Sequence, residues 1–210
     1  MVLAGLIGSA LMPFSAFAWG DIGHRVICQI TYEELKPEIK ARVDALVAID
    51  PKFRTFADAC TAPDHPHIRS PEHYVDLPRS AKGIDVQHPC PVADRCVISA
   101  ILNDTRDLAL SLDVSDQLRL LKSLGHWVGD VHQPLHVSSA IAERPGVQYC
   151  VRKDDACWYG RDQLEYRGGA QRVVAVNDAY LTAQAATVRE RLKMAGVRLA
   201  AILNTALMPS

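Results

Sequence analysis

Two stretches with apolar residues at helical spacing constrain the fold more than any other feature of the sequence. Between Asp94 and Leu112 these residues are Ile98, Ile101, Leu102, Leu108 and Leu112, and from Ser115 to Pro134 they are Leu118, Leu121, Leu124 and Val128. A period near 3.6 gathers such residues on one helix face, whereas a half-buried strand needs strict alternation. Ser115 is placed to cap the second helix. Pro134 is placed to stop it, because proline lacks the N–H a helix interior needs and its ring collides with the preceding turn. Residues 22–35 and 37–49 read as shorter helices, and 178–207 as a last one with Val197, Ala200, Ile202 and Leu203 near its end. Strand alternation is scarce, so the expectation is an all-α protein, a single-domain helical bundle. Its long loops are proline-rich, with Pro63, Pro66, Pro71, Pro78, Pro89 and Pro91 falling between the early and central helices.

A chain of 210 residues that is 49% hydrophobic can build one sizeable core. Its 23 basic and 24 acidic residues leave a net charge of −1, which excludes the broad basic field of a duplex-coating protein. A phosphate would have to be met locally, and divalent cations supply positive charge that a residue count does not show.

The first residues add a compartment. Val2–Met12 form a short apolar run, followed by Pro13 and by Ala16-Phe17-Ala18, whose small residues at −3 and −1 fit a signal-peptidase site. Residues 1–18 are therefore expected to be a signal peptide and 19–210 the mature domain, secreted or periplasmic. The run is too short to span a bilayer and no later segment approaches the needed length, so no integral membrane association is expected. Cys28, Cys60, Cys90, Cys96, Cys150 and Cys157 are even in number, which in an exported protein favours disulfides. The short spacings favour Cys90 with Cys96 and Cys150 with Cys157, leaving Cys28 for Cys60; the spacing leaves other connectivities open.

All eight histidines lie between His24 and His136. Three fall in Gly125-His126-Trp127-Val128-Gly129-Asp130-Val131-His132-Gln133-Pro134-Leu135-His136. On a helix His126 and Asp130 share a face, so an imidazole nitrogen and a carboxylate oxygen can meet at one cation. The turn imposed by Pro134 can return His136 to that side, while His132 projects elsewhere and reads as structural. A second group, His73-Tyr74-Val75-Asp76, follows a loop holding Asp64, His65 and His67, and a third, Trp19-Gly20-Asp21-Ile22-Gly23-His24, stands at the expected mature terminus. Cleavage after Ala18 would free the Trp19 amine, which has an ordinary pKa near 8 and yields its proton readily to a divalent metal.

Taken together these motifs resemble the secreted zinc-dependent single-strand nucleases and 3′-nucleotidases of the S-one/P-one type. The resemblance rests on Trp19 and His24, on Ala62-Pro63-Asp64, on His73-Tyr74-Val75-Asp76, on His126-x3-Asp130-x5-His136 and on Arg191–Ala200. It implies a mostly helical fold shared with zinc-dependent phospholipase C. It further implies a zinc pair held by Asp64, His73, His126 and Asp130 on one side and by Trp19, His24 and the shared Asp130 on the other, with His136 at a third zinc. Asp58 lies close upstream of Asp64 and competes with it for that place. Asp64 and Asp130 would be the catalytic carboxylates, Tyr74 would stack on a base and Asp76 would read its edge. The substrate would be single-stranded DNA, RNA or nucleotides, and no stable protein partner is implied.

One departure from the pattern stands out. The third zinc should gain a histidine and an aspartate from a His-x3-Asp downstream of His136, but no histidine follows that residue and the segment up to Arg191 is short. Two well-held zinc ions, with a third held poorly or not at all, are therefore expected. Arg69 and Arg79 lie in loops suited to a substitute cationic group. The alternatives to an active nuclease are a phospholipase C and a catalytically impaired zinc protein.

Overall fold

The computed structural model describes residues 19–77, 81, 83–90, 94–137, 149–153, 156–159, 172–175 and 178–208. Six α-helices occur among them: α1 (Gly20–Glu34), α2 (Pro37–Val47), α3 (Phe56–Ala59), α4 (Val97–Leu110), α5 (Val114–Val131) and α6 (Asp178–Ala206). Short 3-10 turns at Ser70–His73 and Pro134–His136 complete the helical part. The mostly helical architecture is the one the periodicity implies. To it is added a small three-stranded sheet, β1 (Tyr149–Lys153), β2 (Ala156–Tyr159) and β3 (Arg172–Ala175), in the order β2-β1-β3. β1 runs antiparallel to β2, with Cys150 opposite Tyr159, and parallel to β3, with Tyr149 opposite Arg172. Strands of four or five residues are too short for alternation to stand out in sequence.

α5 is the central element. Its stripe of Leu118, Leu121, Leu124 and Val128 is buried, and from Ser123 to Asp130 every residue is buried, so this half of the helix is enclosed on all sides. Its N-cap is Asp113 and not Ser115: the Asp113 carboxylate accepts the Asp116 N–H at 2.8 Å, so the helix starts two residues earlier than expected. The main core joins Ile39 and Val43 of α2, Leu121 and Leu124 of α5, and Leu199 and Leu203 of α6. A second cluster places Val75, Val97 and Ala100 around Trp127.

The buried face of α4 differs from the expected stripe. Leu102 is partly exposed and Leu112, 97% exposed, lies beyond the helix; the buried residues are Val97, Ala100, Asp104 and Leu108. Their spacing is fully helical, but a carboxylate in the third position hides it from an apolar count. Likewise Val197 of α6 faces outward while Ala195, Gly196 and Leu199 face α1 and the core. Gly196 is required there: a Cβ would sit 2.6 Å from Ile30 Cγ2, and the Gly196 carbonyl accepts the Thr31 hydroxyl at 3.1 Å.

Disulfides join Cys28 to Cys60 and Cys90 to Cys96. The first staples α1 to the end of α3, and α5 crosses it at Gly125, where any Cβ would collide with Cys60 Sγ. Residues 1–18, the side chains of Cys150 and Cys157, and Arg79 lie outside the described residues.

Candidate functional site

Helix α5 delivers His126 and Asp130 to one point, His126 Nε2 lying 3.3 Å from Asp130 Oδ2. α1 delivers His24, with Nε2 3.6 Å from Asp130 Oδ1 and its ring stacked on that of His126 at 3.8 Å between centroids. The loop after α3 brings Asp64, whose Oδ1 lies 3.5 Å from His126 Nε2 and 3.8 Å from His73 Nδ1. The 3-10 turn at Ser70–His73 brings His73, with Nδ1 3.0 Å from Asp130 Oδ2. Past Pro134 the chain doubles back, and His136 Nε2 comes within 3.7 Å of Asp130 Oδ1. Residues spread from position 24 to 136 thus meet around Asp130, and all six are buried.

Backbone carbonyls set which face of each ring looks inward. A carbonyl can only accept, so His126 Nδ1–H donates to Cys60 O at 2.9 Å and His73 Nε2–H donates to Ile68 O at 2.9 Å. The remaining nitrogens, His126 Nε2 and His73 Nδ1, then point lone pairs at one another across 3.2 Å. Two such nitrogens repel unless a proton or a cation lies between them. Rings held through the opposite nitrogen by a carbonyl are the usual support of a metal-ligating histidine. Two sets of donors, His24/His126/Asp130 and Asp64/His73/His126, have their donor atoms within 4.8 Å of one another. Nδ1 of His24 is buried with no hydrogen-bond partner among the described residues.

The electrostatics agree with this geometry. Burial pushes the Asp130 carboxyl from 3.8 up to about 8, with the neighbouring Asp64 adding to the rise and His126 opposing it. Asp64 goes the other way. Burial opposes its ionisation, but the surrounding rings of His126, His24 and His73 hold it well below the usual carboxylate range. His24 is pushed well below its ordinary value by burial and by the imidazoles of His126, His136 and His73, against the pull of Asp64. Nitrogen and oxygen donors of this kind could hold a divalent metal.

Trp19 is anchored beside the cluster, its indole N–H donating to Gly129 O at 2.8 Å. Asp64 belongs to the cluster and Asp58 does not: the Asp58 carboxylate accepts the hydroxyl of Thr55, the α3 N-cap, at 2.9 Å and pairs with Arg25 at 3.5 Å. His132 is structural, donating from Nδ1 to Val128 O at 2.7 Å and accepting Arg198 of α6 at Nε2 at 2.8 Å. Tyr74 and Asp76 are half-buried on a strip pinned at two points, Val97 N–H to Tyr74 O at 2.9 Å and Val75 N–H to His136 O at 2.8 Å. Arg69 does not serve as a loose cation. Its guanidinium is locked on Asp104 and Glu72.

Sequence reasoning passed over two features. His67 stacks on His73 at 4.2 Å and reaches Asp64 Oδ1 at 3.3 Å. Asp104 on α4 takes the Trp127 indole N–H at 2.9 Å. A histidine in a turn-rich loop and a lone aspartate in an amphipathic helix carry no periodic signal; a polar residue at a core position of α4 was the available clue.

Residues 19–156 match the S1/P1 nuclease family model. The chain is 34% identical over 179 residues to Endonuclease 4 of Arabidopsis thaliana, covering 77% of this chain and 55% of that protein. It is 29% identical over 154 residues to Nuclease S1 of Aspergillus oryzae, covering 65% and 53%, and 30% identical over 148 residues to Endonuclease 3 of Arabidopsis thaliana, covering 65% and 48%. The chain spans about half the length of these relatives. The family match takes in every residue gathered around Asp130, and the chain belongs to the S1/P1 nuclease family.

Proposed function

We propose that this chain is a zinc-dependent phosphodiesterase, an endonuclease acting on single-stranded DNA and RNA with 3′-nucleotidase activity as a second reaction. The observation that carries the reading is the pair of inward-facing lone pairs on His73 Nδ1 and His126 Nε2, 3.2 Å apart and backed by carbonyls, beside two buried carboxylates. Asp64, His73, His126 and Asp130 would hold one zinc, and Trp19, His24 and Asp130 a second, with His136 contributing to a third. When bound, zinc supplies Lewis acidity, which acidifies water towards neutrality and offsets phosphate charge.

The chain's own groups do the rest. Asp130, at the centre of the cluster, would hold such ions as a carboxylate and balance their charge. Asp64, already ionised, would supply a carboxylate oxygen beside His126 and His73. Tyr74 offers a ring to a splayed base, which a paired base cannot reach without unstacking; sequence preference should therefore be weak. Asp76, on the same pinned strip, reads the base edge. Residues 1–18 act as an export signal and 19–210 carry the nuclease-like domain. The disulfides fit an oxidising compartment, and among the described residues no helix is long and apolar enough to cross a membrane.

The test is a nuclease assay on protein beginning at Trp19, before and after chelation, with heat-denatured and native DNA as substrates. Hydrolysis of the denatured DNA that chelator abolishes and zinc restores is expected. Phosphocholine release from lecithin with nucleic acid untouched would overturn the nuclease reading in favour of a phospholipase C. The lack of histidine in the segment between His136 and Arg191 favours a second reading, an intact zinc pair with weak catalysis; stoichiometric zinc with feeble turnover would select it.

A further inference from the structure

The carboxylate of Asp104 is 4% exposed, on a helix that contributes no donor to the cluster around Asp130. Burying a charge is costly unless it is paired and hydrogen-bonded, and here the pairing is specific. Arg69 donates from Nη1 to Asp104 Oδ2 at 2.7 Å and from Nη2 to Oδ1 at 3.1 Å. The Trp127 indole N–H donates to the same Oδ2 at 2.9 Å. The carboxylate therefore takes two N–H groups of one guanidinium and the single polar atom of a fully buried indole.

Both partners lead to the cluster, Trp127 to the rings of His73 and His126 and Arg69 to His73. Trp127, one residue from His126, meets the edge of His73 at 4.6 Å and of His126 at 5.4 Å between centroids, at 81° and 88°. Rotating the indole would remove the wall against which both imidazoles rest. Arg69 sits in the left-handed backbone region with φ of 54°, a conformation costly for a side chain with a Cβ. It is held there by Asp104 and, through Nε, by the buried Glu72. The carbonyl before it, Ile68 O, is the acceptor that fixes the His73 tautomer. The Arg69 guanidinium also lies 5.3 Å from the Trp127 ring, so the two routes brace one another.

We propose that Asp104 is the positioning residue that sets the inward donor faces of His73 and His126, acting through the Arg69 backbone turn and the Trp127 ring. The proposal rests on reading the cluster as a metal centre, and it assigns to α4 a part in building that centre. Asp104→Asn keeps the side chain's size but turns an NH2 towards the guanidinium.

The experiment titrates the full mature chain with Co2+, read by its visible absorption, and records the 15N resonances of the histidine rings in metal-free protein. In D104N the Co2+ affinity is expected to fall about 10- to 100-fold, the range for lost outer supports of metal ligands. The His73 ring nitrogens should also lose the fixed Nε2–H pattern. Leu108→Ala, on the same helix but in the main core, is the control for destabilisation and should keep wild-type affinity. If D104N does not fold, Trp127→Phe severs only the indole route and should weaken Co2+ binding in the same direction. Wild-type affinity and unchanged His73 resonances in folded D104N, or equal losses in D104N and L108A, would overturn the proposal. A wild type that binds no Co2+ would sink the metal reading, while the His73 resonances would still decide the positioning role.

Discussion

Gly129→Ala tests the metal centre with a single added methyl group. A Cβ at Gly129 would lie 2.8 Å from His24 Nδ1, 3.0 Å from His24 Cε1 and 3.2 Å from Ile27 Cδ1. Ordinary carbon–nitrogen contact is about 3.5 Å, so the ring must retreat by about 0.7 Å or tilt. It cannot do so freely, because its other face is stacked on His126 at 3.8 Å. Metal–ligand distances tolerate about 0.2 Å, so the displacement takes His24 out of range of a cation centred on Asp130. The stability effect is small by comparison. Alanine gains about 1 kcal/mol over glycine in a helix interior, and overpacking costs about 1–3 kcal/mol. The net change lies between neutral and about 2 kcal/mol of destabilisation, a Tm shift under about 8 °C for a chain of this size. Chelator-treated G129A should therefore melt close to wild type yet bind zinc or Co2+ about 10- to 100-fold more weakly. Wild-type metal affinity in a folded G129A protein would refute the reasoning that makes His24 a ligand. Gly196→Ala, whose clash is with Ile30 and far from Asp130, supplies the contrast: it should lower Tm through the α1–α6 contact and leave metal affinity unchanged.

Asp130 makes the metal-free protein pH-sensitive in a defined direction. The folded carboxyl holds its proton up to about pH 8, whereas an unfolded one releases it near 3.8, so this contribution to stability is fully present below about pH 4 and is lost as pH rises through 8. Between pH 6 and 8 chelator-treated wild type should lose up to about 2–3 kcal/mol relative to Asp130→Asn; parallel urea-unfolding curves for the two proteins across that range would contradict this. Metal binding should release that proton at pH 6 to 7, so calorimetry in buffers of different ionisation enthalpy should show proton release that fades above pH 8. Replacing Cys28 and Cys60 by serine opens a loop with a sequence separation of 32, and the loss should be about 3–4 kcal/mol by loop entropy, with weaker metal binding because Cys60 O supports His126; an unchanged Tm would show that packing around Gly125 carries the junction instead. Keeping Ala18 or a tag ahead of Trp19 should lower metal content by blocking the amine, as elemental analysis of matched preparations would reveal.

The helical class was legible in the apolar period of the segments that became α4 and α5, because amphipathicity is a local property of the chain. His126 and Asp130 were legible for the same reason: four residues apart on a helix means one face. Gathering His24, Asp64, His73 and His136 around Asp130 was not a local matter, and the resemblance to a known family supplied it as an expectation. Spacing alone could not choose between Asp58 and Asp64; the fold does so by committing Asp58 to the Thr55 hydroxyl and to Arg25.

Local chemistry therefore determined which segments are helices and which residues could bind a metal. Tertiary packing decided which of those residues meet, which nitrogen of each ring turns inward, and that Arg69 is committed to Asp104 and Glu72. The reason is physical: periodicity is written in neighbouring side chains, whereas a ring's tautomer and a carboxylate's protonation are set by carbonyls, charges and burial contributed from distant parts of the chain.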